Sequence, residues 1–339
     1  MGNDLQHLHL TANHARYRPG QQRGHYESFF LRANHPQRPL AFWIRYTIFS
    51  PHRHPEAALG ELWAVYFDGE TSAHVAVKRE VPFAACHFSP SAFDVGIDTA
   101  RLQPGALCGS ATTDAHTIAW DLTYHGAASP LLLLPERLYD SPLPKAKSLV
   151  GLPLAHFAGT LTVDGVAVDV AEWIGSQNHN WGSRHTDHYA WGQVAGFDNH
   201  PESFLEVGTA RLKLGPLWTP FMTVLVLRHG GEEFALNSLR QSLRARASFR
   251  YFEWDFATEN EQVQVVGHIS APRESFVGLR YGNPPGGSKH CLNSKLAACE
   301  LRVTDKRAPA RSMELLTTAH RAAFEILTDD RAHGVRIQV

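Results

Sequence analysis

Between Glu172 and Gln193 the chain places three tryptophans, three histidines, an arginine, an aspartate and a tyrosine within twenty-two residues. Polar groups of this kind are costly to bury unless they pair, and indole area is costly to expose, so the mixture suits a pocket. On an extended chain His179 and Trp181 share one face. Beyond a turn at Gly182, His185, Asp187, Tyr189 and Trp191 share another, with His188 pointing away from Asp187. Two such strands would aim an imidazole, a carboxylate and aromatic rings into one cavity. A ligand or active-site pocket is what these residues would build, with Asn180, Trp181, His185, Trp191 and Gln193 as ligand contacts. The same residues also make a satisfied core network, in which His179 and Asn180 bond backbone groups and the tryptophans fill a barrel end. A metal site from His179, His185, Asp187 or His188 is chemically allowed, but strands give it no standard ligand spacing, and no metal ligand is assigned.

The elements that must position these residues are strands. In His116–Tyr124 the residues Ile118, Trp120, Leu122 and Tyr124 alternate with Thr117, Ala119, Asp121 and Thr123, as a half-buried strand requires. Similar alternation marks Ala41–Ser50, Leu62–Asp68, Ser72–Arg79, Phe204–Leu214, Phe221–Arg228, Ser248–Phe256, Gln262–Ile269 and Glu300–Thr304. Asp164-Gly165 between two alternating runs predicts a tight hairpin, because both residues tolerate the positive φ of a type I′ turn. His333-Gly334 precedes Val335–Val339, which reads as a final strand. Helix is scarce: Asn237 or Ser238 caps one short helix through Ala245, whose arginines read as a solvated face. Leu138–Pro153, with three prolines and no alternation, reads as a long connection. Many short strands without a βαβ rhythm predict antiparallel barrels or sandwiches.

Composition narrows the partners. The 339 residues exceed one ordinary domain of roughly 100–200 residues, so two domains or one large barrel is expected. Thirty-two Lys and Arg against 33 Asp and Glu leave a net charge of -1. That balance removes the electrostatic case for nucleic acid or an anionic membrane as main partner. The 21 histidines and a pI near 7.1 mean that the surface turns positive just below neutral pH. The longest apolar runs, Leu131–Leu134 and Met222–Leu227, are far short of the ~20 residues of a membrane-spanning helix. The N-terminus lacks the apolar core of a secretory signal. Cys86, Cys108, Cys291 and Cys299 include no C-x-x-C pair and read as reduced thiols in a cytoplasmic protein. A G-x-S-x-G elbow, a P-loop and a strand-linked G-x-G-x-x-G are all missing, so serine hydrolase, nucleotide hydrolase and dinucleotide readings lose their main support.

The His179-Asn-Trp-Gly182 core, following a D-G hairpin, resembles the H-x-W-G segment of carotenoid 1,2-hydratases (hydroxyneurosporene synthases) and their AttH-like relatives. The early segments Gly24–Leu31, Asn34–Pro36, Ala41–Thr47 and Gly60–Asp68 look like the bacterial branch of that superfamily. The resemblance runs in order from about Gly24 to the end and is strongest before Phe197. It implies two consecutive lipocalin-like β-barrels, placed at 1–183 and 184–339, with a ligand pocket within or between them. Related members, plant tocopherol cyclases and fungal pericyclases, act on isoprenoid or polyene substrates without redox cofactors, so no cofactor is expected. The family's motif histidine and tryptophan carry over to His179 and Trp181. Its downstream tyrosine and acidic aspartate fall near Tyr189 and Asp187, with Asp198 as a further candidate. Glu27 and Arg45 match recurrent family positions and read either as polar contacts in a first pocket or as an internal ion pair holding the barrel closed. Trp43 and Trp63 read as core.

Hydrating an alkene or cyclising a polyene begins with protonation of carbon. That requires a carboxylic acid still protonated near neutral pH, aromatic faces for the cation, and a base for water or the final proton. Burial of Asp187 among Trp181, Tyr189 and Trp191 would supply the acid, and His179 or His185 the base. The sequence therefore supports a cofactor-independent hydratase, cyclase or isomerase acting on a hydrophobic small molecule. Its alternative is a non-catalytic lipocalin-like carrier of such a molecule, and either is compatible with a homo-oligomer.

Overall fold

A computed structural model describes residues 2–307 and 312–339. Residue 1 and residues 308–311, which fall in the expected spans 1–183 and 184–339, lie outside the described residues. Among the described residues, twelve antiparallel strands form one sheet between His25 and Gly182, and ten form a second between His188 and Thr328. Helix is confined to Gly2–Leu10, Leu239–Arg244 and short 3-10 turns. No helix among these residues is long and apolar enough to cross a membrane.

The two sheets repeat one scheme. The 25–34 strand pairs with its successor 40–50 on one side and with the last strand of its sheet, 166–182, on the other, so that Phe29 faces Tyr46 and His179. The 188–195 strand pairs likewise with 204–211 and with 313–328. Alternation then divides the side chains. Phe29 and Leu31 point into the first barrel with Phe42, Tyr46, Trp120, Phe157 and Trp173. Leu205, Leu225, Trp254, Phe324 and Ile326 fill the second. Each such burial contributes about 1.5–3 kcal/mol. The opposite faces of the two sheets meet in a seam packed by Phe30, Trp43, Trp63, Leu279, Tyr281 and Leu327.

Gly175 fixes the pairing that carries the dense segment, because a Cβ there would lie 1.8 Å from the carbonyl oxygen of Arg32. Gly175→Ala is expected to lower stability by about 3 kcal/mol, the upper end of ordinary overpacking costs. An unchanged urea midpoint would contradict this register.

The all-β expectation holds, and the Asp164-Gly165 turn joins 146–163 to 166–182 with φ of 50° and 82°. Ser238 caps the Leu239–Arg244 helix in a capping box with Gln241. Four local expectations change. Leu138–Pro153 is not a plain connection, since a strand begins at Ala146; two register shifts around Leu152 and a positive φ at Leu154 break the alternation that would reveal it. Ser248–Phe256 splits into Arg246–Arg250 and Glu253–Glu259, because Phe252 takes a φ of 80° and turns the chain. Val335–Val339 runs beside the 277–282 strand through a single parallel bridge, Gly278 to Ile337, rather than as a full strand. The Gly2–Leu10 helix was not foreseen in the polar N-terminus.

Candidate functional site between the barrels

The dense segment does not project into one cavity. Strand alternation sends His179 and Trp181 into the mouth of the first barrel, whereas Asn180 shares the opposite face with its cross-strand neighbour Ser28. Tyr189, Trp191 and Gln193 also reach that opposite side, from the second sheet. The predicted residues thus fall into two places separated by the thickness of a sheet.

In the barrel mouth His179 is fully buried and stacks on Phe29 with centroids 4.1 Å apart. Its Nδ1 lies 2.6 Å from the Ala12 carbonyl oxygen and its Nε2 2.8 Å from a Glu27 carboxylate oxygen. Each ring nitrogen thus faces an oxygen of the surrounding chain. Glu27 also accepts from His25 at 3.1 Å and from the backbone N–H groups of Arg16 at 2.7 Å and Tyr17 at 2.8 Å. Burial alone would raise its carboxyl, but the hydrogen bonds from His179 and His25 outweigh it and hold Glu27 down at about 2. Asn13 and Gln177 exchange bonds of 2.9 and 3.0 Å, and the Arg16 guanidinium lies over Trp181. The 12–17 segment is therefore fastened across the barrel mouth, and His179 and Glu27 spend their bonding capacity on that fastening.

Glu27 and Arg45 form no ion pair, because they lie on opposite faces of the first sheet. Arg45 faces the seam, donates to Ser28 Oγ at 2.6 Å and lies 4.4 Å from the Tyr281 ring centroid. Asp187 is not enclosed by tryptophans. One of its oxygens is bound by Arg184, and the other accepts from the Lys213 backbone N–H at 2.9 Å. Asp198 pairs with Arg321 at 2.6 Å on the rim. His188 points into the second barrel against Phe249, away from Asp187 as its parity requires.

The seam is rich in buried polar atoms. Gln193 is its strut: Oε1 accepts from Arg32 Nε at 2.7 Å and Ser176 Oγ at 2.6 Å, while Nε2 donates to Asn178 at 2.8 Å and Glu206 at 2.7 Å. Lys295 pairs with Glu325 at 2.7 Å. Four buried atoms facing this seam have no hydrogen-bond partner among the described residues: Trp43 Nε1, Arg45 Nε, Asn180 Oδ1 and Asn293 Nδ2. Unpaired buried polar atoms cost about 1–3 kcal/mol each.

One end of the seam opens into a cleft with about 10 Å³ of free space, lined by Tyr26, Arg45, Thr47, Glu61, His185 and Tyr281. That is room for about one water molecule. His185 stacks on Tyr26 at 4.0 Å and donates from Nε2 to the Gly282 carbonyl at 3.1 Å, leaving Nδ1 as a lone pair. Burial, aided by Arg45, pushes it down to about 3, so it is neutral at physiological pH. From the cleft a chain of contacts leads inward. Arg45 lies 5.8 Å from Trp43, Trp43 lies 6.3 Å from Phe30, Phe30 lies 6.0 Å from Trp191, and Trp191 Nε1 donates to Glu206 at 2.8 Å.

Glu206 is the residue that the sequence reading missed. It lies in an ordinary alternating strand, where a glutamate gives no warning of an inward face between two sheets. It is 1% exposed, and burial pushes its carboxyl up to about 7 despite the hydrogen bonds from Trp191 and Gln193. Near neutral pH it is therefore partly protonated, the property the sequence reading sought in Asp187.

No family model matches the chain. An uncharacterized protein of Mycobacterium tuberculosis, found in strains H37Rv and CDC 1551, is 25% identical over 305 residues, covering 88% of this chain and 85% of that one. Among solved structures, an AttH candidate from Nitrosomonas europaea superposes with a TM-score of 0.53 at 12% identity, over 93% of this chain and 97% of that one. Kievitone hydratase from Nectria haematococca gives 0.54 at 12% identity over 92% and 91%. CghA gives 0.51 at 9% identity over 93% of both. The chain thus has the same all-β, two-barrel lipocalin-like fold as these proteins.

Proposed function

We propose that this protein is a cofactor-independent acid–base enzyme of the hydratase, cyclase or isomerase class, acting on an apolar polyene- or isoprenoid-like molecule in the seam between two lipocalin-like domains, 1–183 and 184–339. The observation that carries the reading is Glu206, a buried carboxyl raised to about 7 at the end of an aromatic corridor. Glu206 delivers the proton to carbon. Trp191, Phe30 and Trp43 face the resulting cation, each worth about 0.5–2 kcal/mol according to desolvation. The Glu206 carboxylate then takes a proton back, from the cation to give an isomer or cyclised product or from the water that adds to it to give an alcohol, and substrate entry requires Arg45 and Tyr281 to part. One protein of similar fold is by name a hydratase, which agrees with this chemistry. The alternative, a non-catalytic carrier, would hold the same class of molecule without the proton transfer from Glu206.

Incubation with a panel of acyclic polyenes and isoprenoids in ¹⁸O-labelled water tests the class. The expected result is a product heavier by one labelled water, or an isomer of unchanged mass for cyclisation. Recovery of every panel member unaltered, with one retained stoichiometrically on the protein, would instead establish a carrier.

A further inference from the structure

Away from the seam, on the rim of the second barrel, three chain segments bring two histidines and two glutamates together. His200 and Glu202 lie in the 196–203 turn, closed by the Gly196 N–H to Ser203 carbonyl bond at 3.0 Å. His229 ends the 222–229 strand and Glu314 lies on the 313–328 strand. Ligating atoms of His200, Glu202 and His229 all lie within 4.8 Å of one another. A Glu314 oxygen lies 3.2 Å from His229 Nε2 and 4.0 Å from His200 Nε2. Tetrahedral zinc with bonds of about 2.0–2.2 Å holds its ligands roughly 3.4 Å apart, so sub-ångström side-chain shifts would close the set of His200, Glu202 and His229, with Glu314 outside that set but against both histidines.

The surroundings orient one ligand in advance. Ser203 is fully buried, and its Oγ lies 2.8 Å from His229 Nδ1 and 3.4 Å from Glu202 Oε1. With Nδ1–H donated to Ser203 and the serine hydroxyl donated to Glu202, the Nε2 lone pair of His229 is fixed towards the cluster. This is the outer-shell arrangement that metal-bound histidines use. The turn is itself tied to the 313–328 strand by Asn199, which donates to Leu315 at 2.7 Å and accepts from Thr317 at 2.9 Å, so the ligands' backbones are held without the ion.

We propose that His200, Glu202 and His229, with Glu314 in reach as fourth ligand, form a zinc-class divalent metal site that clips the 196–203 turn to the two neighbouring strands. Two carboxylates beside two neutral imidazoles carry net negative charge that a divalent cation offsets, and mixed imidazole–carboxylate donors suit zinc or cobalt rather than calcium or magnesium. Without a cation the same contacts are half-buried histidine–carboxylate pairs near the surface, worth at most about 1 kcal/mol.

Chelator-stripped full-length protein titrated with Co²⁺, followed by visible d–d absorption, and with Zn²⁺, followed by calorimetry, distinguishes the two. The proposal expects one equivalent bound and a higher Tm with zinc. His200→Ala and Glu202→Gln, both at accessible positions, are expected to weaken binding at least about tenfold. His54→Ala, at a separate exposed His–Glu pair, is expected to leave binding unchanged. Binding of less than one equivalent, equal affinity in a combined His200→Ala/Glu202→Gln variant, or an equal loss in His54→Ala would overturn the proposal.

Discussion

Glu206→Gln is expected to lower turnover by about 10²–10⁴ while the protein stays folded, the usual range for losing a positioned general acid. The amide keeps the shape of the carboxyl and one acceptor, but it leaves either Trp191 Nε1–H or Gln193 Nε2–H facing an NH₂ group, at a cost of about 1–3 kcal/mol. A second consequence needs no substrate. The folded carboxyl titrates near 7 rather than at its ordinary 4.5. Between those values the folded state holds a proton that the unfolded state releases, so stability falls as pH rises. The contribution is fully present below about pH 4.5 and lost as pH passes about 7. At 1.36 kcal/mol per unit it amounts to about 3 kcal/mol. Urea midpoints measured across that window should fall more steeply in the wild type than in Glu206→Gln. Parallel slopes would put Glu206 at its ordinary value and remove the acid from the mechanism.

The second large effect concerns stability rather than chemistry. Glu27→Ala leaves His179 Nε2 and the Arg16 and Tyr17 N–H groups without their shared partner. Breaking a buried pair from one side costs about 3–5 kcal/mol, a large part of the ordinary 5–15 kcal/mol total. Because the folded Glu27 carboxyl is depressed to about 2, its contribution is present above the ordinary 4.5 and lost as pH falls towards 2. The variant should therefore have a lower urea midpoint at neutral pH and a smaller loss of stability on acidification. Its 12–17 segment should also become accessible to protease. A wild-type midpoint with a protected segment would show that His179 and Glu27 do not fasten it.

Much of this architecture was legible because strand periodicity is local. The alternation around Trp120 and the Asp164-Gly165 turn named their elements directly. The 146–163 strand escaped because its bulges break the alternation that reveals strands, and the 246–259 hairpin merged into one run because Phe252 occupies a turn conformation unusual for its type. The candidate site was half legible for the same reason. Composition singled out the 172–193 segment, and Tyr189, Trp191, Gln193 and Asn180 do border the seam. Parity along one strand could not show that His179 faces the barrel interior while Asn180 faces the seam. Glu206 and the His200–His229 cluster depend on pairing between distant strands, which spacing in the chain does not encode. The histidine count told little: His52 and His54 are exposed at a turn, whereas His25, His179, His185, His290 and His333 are buried, so the total says nothing about which imidazole matters.

Photo-crosslinking with a diazirine-bearing isoprenoid alcohol, followed by peptide mapping, tests most directly that the apolar ligand occupies the space between the barrels. The predicted result is label on Trp43, Tyr189, Trp191 and Tyr281, competed by unlabelled isoprenoid. Label confined to the first barrel's interior around Phe29, His179 and Trp181 would contradict the account.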